Sequence, residues 1–535
     1  MRPIAVALAA VVLLAGCGRH ETSVAAGRRT QTLHALVNRD PGSLDPHLAG
    51  GEIAQIINAL FEGLVNLAND GATILPGVAE HWDISPDGKT YTFHLRAGAR
   101  WSNGDPVTAP DFLGSFLRFL DPHLRSPFAN DLFMIAGAQD YAEGRNPDPN
   151  SVGLRVADAR TLVITLAHRC PYFLLRLSER EVRPVHLPSV DRFGGRQQRA
   201  AAWDRPGNLV SNGPFQLAEW RSGAVLVLTK NPHYWDAARV RLNAIHFHPI
   251  DDSATGERAY RAGQLHLSVV PVAKRAAYRE QKSPDLHTVT GLGTRYLRLR
   301  TTQAPFTDPR VRRALSLAID RERLVSNVLT GFGTPAHSLT APGTGGYQPP
   351  NLFGFDPAAA RELLAAAGFG GGTGFPSVEL LLPNKDGETV AIAEALQQMW
   401  RQALGIEIKI VSNDGVVFLE NLRSGNFQLS LNNWGYDIND PVDQYLLALS
   451  TYPSNQSGWS EAAYDRAFAR SEEAATDAER RAAFDEMETL LAAGMPFVPL
   501  FHAAKTALVH PTVQGWRDNG LGNIDWRTLS LSAPE

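Results

Sequence analysis

Residues 427–441 read FQLSLNNWGYDINDP, a strand that runs into a polar turn holding an acid. Phe427, Leu429 and Leu431 alternate with Gln428, Ser430 and Asn432, the period of two that predicts a strand with one buried face. That alternation stops after Asn433, where Trp434, Gly435, Tyr436 and Asp437 follow, and Asp440-Pro441 closes the stretch as a turn. Just upstream, 387–404 has the apolar spacing of an amphipathic helix, Ile406, Ile408 and Ile410 that of a strand, and 416–422 that of a second helix. Two helix–strand units in series predict an α/β lobe with a largely parallel sheet. Ligands of open α/β sheets collect beyond the carboxyl ends of strands, so Asp437 is a candidate anchor for a cation, against the plainer reading of a solvated loop acid.

Outward from this stretch the same punctuation recurs. Helices over 460–474 and 477–493 lead into a strand at 497–501. Asp308-Pro309 supplies an N-cap and first-turn pair for a helix through Leu324, and Asp356-Pro357 opens another that closes at Gly368. Gly370, Gly371, Gly372 and Gly374 follow a helix and precede a strand, the reverse of a phosphate-cradling loop, and predict flexible linkage. Near the start, 31–37 reads as a first strand and 52–64 as a helix with Ile53, Ile56, Ile57 and Leu60 on one face. Between 76 and 112, Pro86-Asp87-Gly88 turns one strand into another whose Tyr91, Phe93 and Leu95 alternate with Thr92 and His94. Thr108 then caps a helix that carries Pro110 in its first turn.

Composition bounds the compartment. Arg2, an apolar run from Ile4 to Ala15 and Leu14-Ala15-Gly16-Cys17 have the layout of a secretory signal too short to span a bilayer. The tetrapeptide resembles a bacterial lipobox, which implies cleavage before Cys17, lipidation of its thiol, and a chain tethered outside the cytoplasm only at its new N-terminus. Cys170 would then be the only thiol, so a disulfide cannot support the fold and the core must. The formal charge of −4 gives no basis for nucleic-acid binding, and the clusters Arg28-Arg29 and Arg312-Arg313 read as exposed faces. Length suggests roughly three domains.

The landmarks Glu80, Trp82, Asp87-Gly88, Tyr91, Phe93, Leu95-Arg96, Trp101, Gly104 and Pro106 occur at set spacings over about 37 residues. This block resembles the bacterial extracellular solute-binding proteins of the oligopeptide-binding family, the receptors of ABC importers. Asn212-Gly213-Pro214-Phe215 with Trp220, Lys230-Asn231-Pro232 with Tyr234-Trp235, Ala304-Pro305-Phe306 and Ala318-Ile319-Asp320-Arg321 extend the likeness over nearly the whole mature chain. The resemblance implies an α/β, two-lobed periplasmic-binding-protein (type II) fold with an extra inserted domain. Lobe I would take 18–62, 187–288 and 505–535, the insert 63–186 and lobe III 289–504, with crossings at 288–293 and 502–507. It also implies a monomer without cofactors, in the periplasm or at the cell surface, that takes up a peptide and passes it to an inner-membrane ABC permease.

In similar proteins the peptide's ammonium meets an aspartate a short turn after a tryptophan at a strand end, and Trp434 and Asp437 match that motif. The resemblance thus implies that Asp437 binds a ligand amine, that the backbone of Asn433, Trp434 and Gly435 pairs with the ligand backbone, and that Tyr436 lies in the same site. Where peptide receptors often carry acids this chain has Gly50, with Glu52 a partial replacement, and Arg298, which would favour a ligand carboxylate if it faces the cleft and is otherwise a surface strand residue. Two other classes compete. No Gly-x-Ser-x-Gly, His-Glu-x-x-His or Cys-x-x-Cys supports a hydrolytic enzyme, and Gly88-Lys89-Thr90 is explained by the hairpin turn. His246 and His248 share a strand face and are candidate ligands for a metal chelate or haem, against ordinary packing.

Overall fold

Asp386 caps the helix Gly387–Leu404 by accepting from the Thr389 N–H, and Gly405, at φ 71°, ends it in the left-handed conformation that a side chain would resist. Asp414 and Gly425 close the helix Gly415–Ser424 in the same way. These local stops space the strands between them, and the computed structural model shows what the strands build. It describes residues 21–199 and 201–533; the signal segment and Cys17, on which the lipidation reading rests, lie outside the described residues.

Eleven strands form one sheet: β1 (Thr32–Val37), β2 (Phe215–Arg221), β3 (Val225–Lys230), β4 (Ala244–Pro249), β5 (Leu267–Ser268), β6 (Leu286–Leu299), β7 (Gly333–Pro335), β8 (Val378–Leu382), β9 (Ile408–Ser412), β10 (Leu429–Gly435) and β11 (Phe497–Val509). Their order is β9-β8-β10-β6-β11-β5-β1-β4-β3-β2, with β7 paired to β11. The expected largely parallel sheet is mixed. β8 is parallel to β9 and β10, and β1 to β4 and β5, while β6 and β11 run antiparallel to their neighbours. β6 and β11 are long enough to pass from one side of the molecule to the other. Their ladder breaks between Thr290 and Thr294, where a Cβ on Gly291 would come within 2.6 Å of the Ala503 carbonyl oxygen.

The three largest apolar cores among the described residues lie along this sheet. One gathers Leu33, Ile57, Trp203, Phe247 and Trp526 around β1–β5. A second packs Leu297, Leu315, Trp400, Leu429 and Leu500 around β6–β11. The third joins Phe93, Trp101 and Phe112 of the early hairpin region to Tyr445, Tyr464 and Phe484 of the late helices, although these segments are far apart in sequence. The hairpin itself pairs Ala79–Ile84 with Thr90–Leu95 through a turn whose Gly88 sits at φ 70°.

Several sequence expectations change. β10 begins at Leu429 and runs on to Gly435, and Leu429 to Asn432 are all buried, so this strand has two buried faces rather than one. A strand between two partners in mid-sheet is covered on both sides; Ser430 and Asn432 tolerate this because Asn432 Nδ2 donates to Ser430 Oγ at 2.8 Å. The early helix is Ala54–Leu60 only, after a 3₁₀ turn Gly51–Ile53, and the chain is extended from Phe61. The helix from Pro309 stops at Leu317 because Asp320 caps a new one, Arg321–Asn327. Arg312 is buried, its guanidinium donating to the carbonyls of Phe306 and Gly494, so it is no exposed basic face. Nor is the glycine run a loose linker: Gly372 lies against Gly405, whose carbonyl oxygen a Cβ at 372 would approach to 2.2 Å.

Candidate functional site

β10 delivers its carboxyl end to a cleft. Tyr436 N–H donates to Leu292 O at 3.1 Å and Gly435 stands opposite Gly293, so the alternation of an antiparallel ladder turns the N–H and C=O of Asn433 and Gly435 away from β6. On that far edge β8 reaches only Leu429 and Ser430. The edge from Asn433 to Gly435 therefore carries no strand among the described residues, and Asn433 and Gly435 are exposed. Asp437 follows at the tip, its side chain 47% exposed and its Oδ1 3.8 Å from Arg180 Nη2.

A second aspartate holds this tip in place. Asp443, buried in the turn after Pro441, accepts from the Trp434 indole at 3.3 Å and from the Asp437 backbone N–H at 3.1 Å. Its other oxygen takes the guanidinium of Arg176 at 2.8 Å, and Arg176 also bridges Glu179 at 3.1 Å. Arg180 pairs with Glu181 beside them. Asp131 completes the group, so five carboxyls meet two guanidiniums. Burial holds the Asp443 and Glu181 carboxyls up to about 7 and Asp131 up to about 6, and Glu179 well above the ordinary range, with neighbouring acids adding to the effect of burial in each case. The place is short of positive charge.

Other candidates fall elsewhere. Tyr436 sends its phenol into the core, where it accepts from the Ala341 N–H at 3.1 Å, so only its backbone belongs to the cleft. Trp434 spends its indole N–H on Asp443. Arg298 neither faces the cavity beside Asp437 nor lies on the surface: it is buried between the rings of Tyr296 and Phe497, at 5.8 and 5.9 Å, and donates to Gln456 and to Tyr296 Oη. Glu52 sits by its backbone in the turn Gly51–Ile53, and Gly51 lines the cleft. His246 and His248 do share a face of β4, where His34 Nδ1 lies 3.0 Å from His248 Nε2 and His266 stacks on His34 at 5.8 Å. Among the described residues no group of three or more His, Cys, Asp or Glu is arranged to hold a metal ion.

The cleft is a cavity of about 480 Å³. It is lined by Leu36 and Asn38, at the end of β1, by Leu267 to Val269, at the end of β5, and by Gly435 to Asp437. Lys505 to Ala507 of β11 and residues of the loop from Trp516 to Gly522 also line it. It thus lies beyond the carboxyl ends of strands from both halves of the sheet. Arg176, Arg180, Asp443 and Lys505 were not singled out from sequence. Asp443 could have been suspected from the Asp-Pro-x-Asp spacing after Asp437, whereas the arginines belong to a segment with no local sign of the site.

Comparison with known proteins agrees with this geometry. Residues 73–456 match the family of bacterial extracellular solute-binding proteins, family 5. The periplasmic oligopeptide-binding protein OppA of Escherichia coli (strain K12) is 32% identical over 497 residues, 91% of this chain and 90% of OppA. The periplasmic murein peptide-binding protein MppA of the same strain is 34% identical over 513 residues, 94% of this chain and 93% of MppA. The solved structure of Escherichia coli MppA superposes with a TM-score of 0.82 at 32% identity, covering 94% of this chain and 98% of MppA. No helix among the described residues is long and apolar enough to cross a membrane. A mixed sheet whose halves are joined by two long strands, with a cleft at the strand ends between them, is the two-lobed periplasmic-binding-protein type II fold, and the chain belongs to the bacterial extracellular solute-binding proteins, family 5.

Proposed function

We propose that this chain is an extracytoplasmic receptor that captures oligopeptides between its lobes and hands them, chemically intact, to an inner-membrane ABC importer. One observation carries the reading: a strand edge without a partner, Asn433 to Gly435, ends on Asp437 in a place with more carboxyl groups than cations. A peptide added along that edge pairs backbone to backbone whatever its side chains, and its ammonium answers the surplus negative charge. Asp437 is the amine-binding residue in this reading, and Asn433, Trp434 and Gly435 supply the backbone.

The finer points belong to the same proposal. Lobe I comprises 18–62, 187–288 and 505–535, the insert 63–186 and lobe III 289–504, with β6 and β11 as the hinge. Cys17 carries the lipid that tethers a monomer, and neither cofactor nor catalysis is required. A murein-type peptide is a second reading, favoured by the 34% identity to MppA. Native mass spectrometry of the purified protein identifies the co-purifying ligand. Calorimetry then compares wild type with Asp437→Asn: the variant is expected to lose about 2 kcal/mol of affinity for a free-amine peptide, the low end for a charged partner because Asp437 is half exposed when unliganded. An affinity unaltered by Asp437→Asn removes the assignment.

A further inference from the structure

The cleft that Asp437 enters is also lined by a lysine that has no hydrogen bond or ion pair among the described residues. Lys505 stands on β11 opposite Val289, inside the ladder that joins the lobes, and its stem lies along Gly291 and Gly522, where an added Cβ would come within 3.1 and 3.8 Å of it. Its ammonium has no hydrogen bond or ion pair among the described residues. Crowding by the cavity walls lowers its pKa, and Asp437 is the acid whose charge opposes that shift. The neighbouring acid, Asp518, is already engaged: one oxygen accepts from the Trp516 indole at 2.9 Å and the other lies 3.0 Å from His287 Nδ1. Arg517, exposed on the same loop, adds a second cation. Lys505 is exposed within the cleft, so its ammonium is open to an anionic group of a ligand that lies there.

We propose that Lys505 determines specificity by receiving a carboxylate of the bound ligand, so that the cleft selects short zwitterionic peptides with the amine at Asp437 and an acid group at Lys505. This rests on the oligopeptide reading for the amine end only; the carboxylate end stands on Lys505 itself. The cavity of about 480 Å³ suits a ligand of a few residues. Because Lys505 lies on the hinge strand and Asp437 at the tip of β10, one ligand that meets both ties the hinge to the tip and favours the closed arrangement.

The test is calorimetry on the full mature chain with trialanine, trialanine amide, N-acetyl-trialanine and succinate, using wild type, Lys505→Met, Lys505→Arg and Asp437→Asn. Wild type is expected to bind trialanine at least tenfold more tightly than its amide. Lys505→Met abolishes that ratio while keeping the preference for a free over an acetylated amine, Lys505→Arg restores it, and circular dichroism confirms that all variants fold. If Lys505→Met keeps the wild-type ratio, or wild type binds acid and amide with equal affinity, the assignment is overturned. Succinate bound by wild type and not by Lys505→Met, with every peptide silent, upholds Lys505 and removes the oligopeptide reading. A panel in which no carboxylate binds wild type overturns Lys505 as well.

Discussion

Asp443 does more for the site than its distance from any ligand suggests. Its two oxygens meet the Trp434 indole, the Asp437 N–H and the Arg176 guanidinium, so it fixes the turn that presents Asp437. Removing it takes from the buried Arg176 one of its two hydrogen-bonded carboxyl partners. Asp443→Ala is therefore expected to cost about 3–5 kcal/mol of stability, read from the urea midpoint, and Asp443→Asn less, since an amide oxygen still accepts from the indole and the backbone. Asp437 was legible because a strand period, a tryptophan and a turn lie within a few residues of it. Its support was not: Asp443 and Arg176 are 267 residues apart, and nothing local to either names the other.

At the scale of elements, the sheet face of β1 and β4 carries a row of imidazoles. His34, His246 and His248 adjoin one another, His266 follows, and His510 packs against His266 at 6.2 Å. Burial pushes His34 down to about 3 and His248 and His266 to about 4, with neighbouring histidines adding to the effect; Glu219 faces His246, and Asp285 and Arg28 face His510. Above about 6.5 both folded and unfolded chains hold these rings neutral and their packing is fully kept. As pH falls below that value the unfolded chain takes up protons first, so stability is lost progressively toward pH 4. The melting temperature of His34→Asn/His248→Asn is expected to fall less than that of wild type between pH 6.5 and 4.5; equal slopes would refute the account. His246 and His248 were visible from sequence as a pair. The remaining three join them only through strand pairing and the return of the C-terminal segment.

For the whole molecule, the carboxyl cluster joins residues distant in sequence, Asp131 and Glu179 to Glu181, to the tip of β10. Burial raises these acids, so the folded chain keeps protons that the unfolded chain gives up between about pH 4 and 7, and the cluster costs stability as pH rises through that window. A ligand ammonium favours the ionised forms. Its binding is therefore expected to release protons near pH 6–7 and to tighten from pH 5.5 to 8, measurable by calorimetry in buffers of different ionisation enthalpy. Proton uptake, or affinity flat across that range, would count against an amine at this place.

What the chain settles locally, it settles from its own letters: the caps at Asp386, Asp414 and Asp356, the left-handed glycines at 405 and 425, the hairpin at Gly88 and the strand that leads to Asp437 all depend on neighbours in sequence. Tertiary structure alone decided that β10 is covered on both faces, that Arg298 is enclosed by aromatic rings, that Arg176 reaches Asp443, and that Lys505 lines the same cavity as Asp437. The reason is the range of the forces. Caps, turns and periodicity act within a few residues, whereas burial and ion pairing are set by which segments the sheet brings together across hundreds of residues, and one-dimensional spacing carries no record of that.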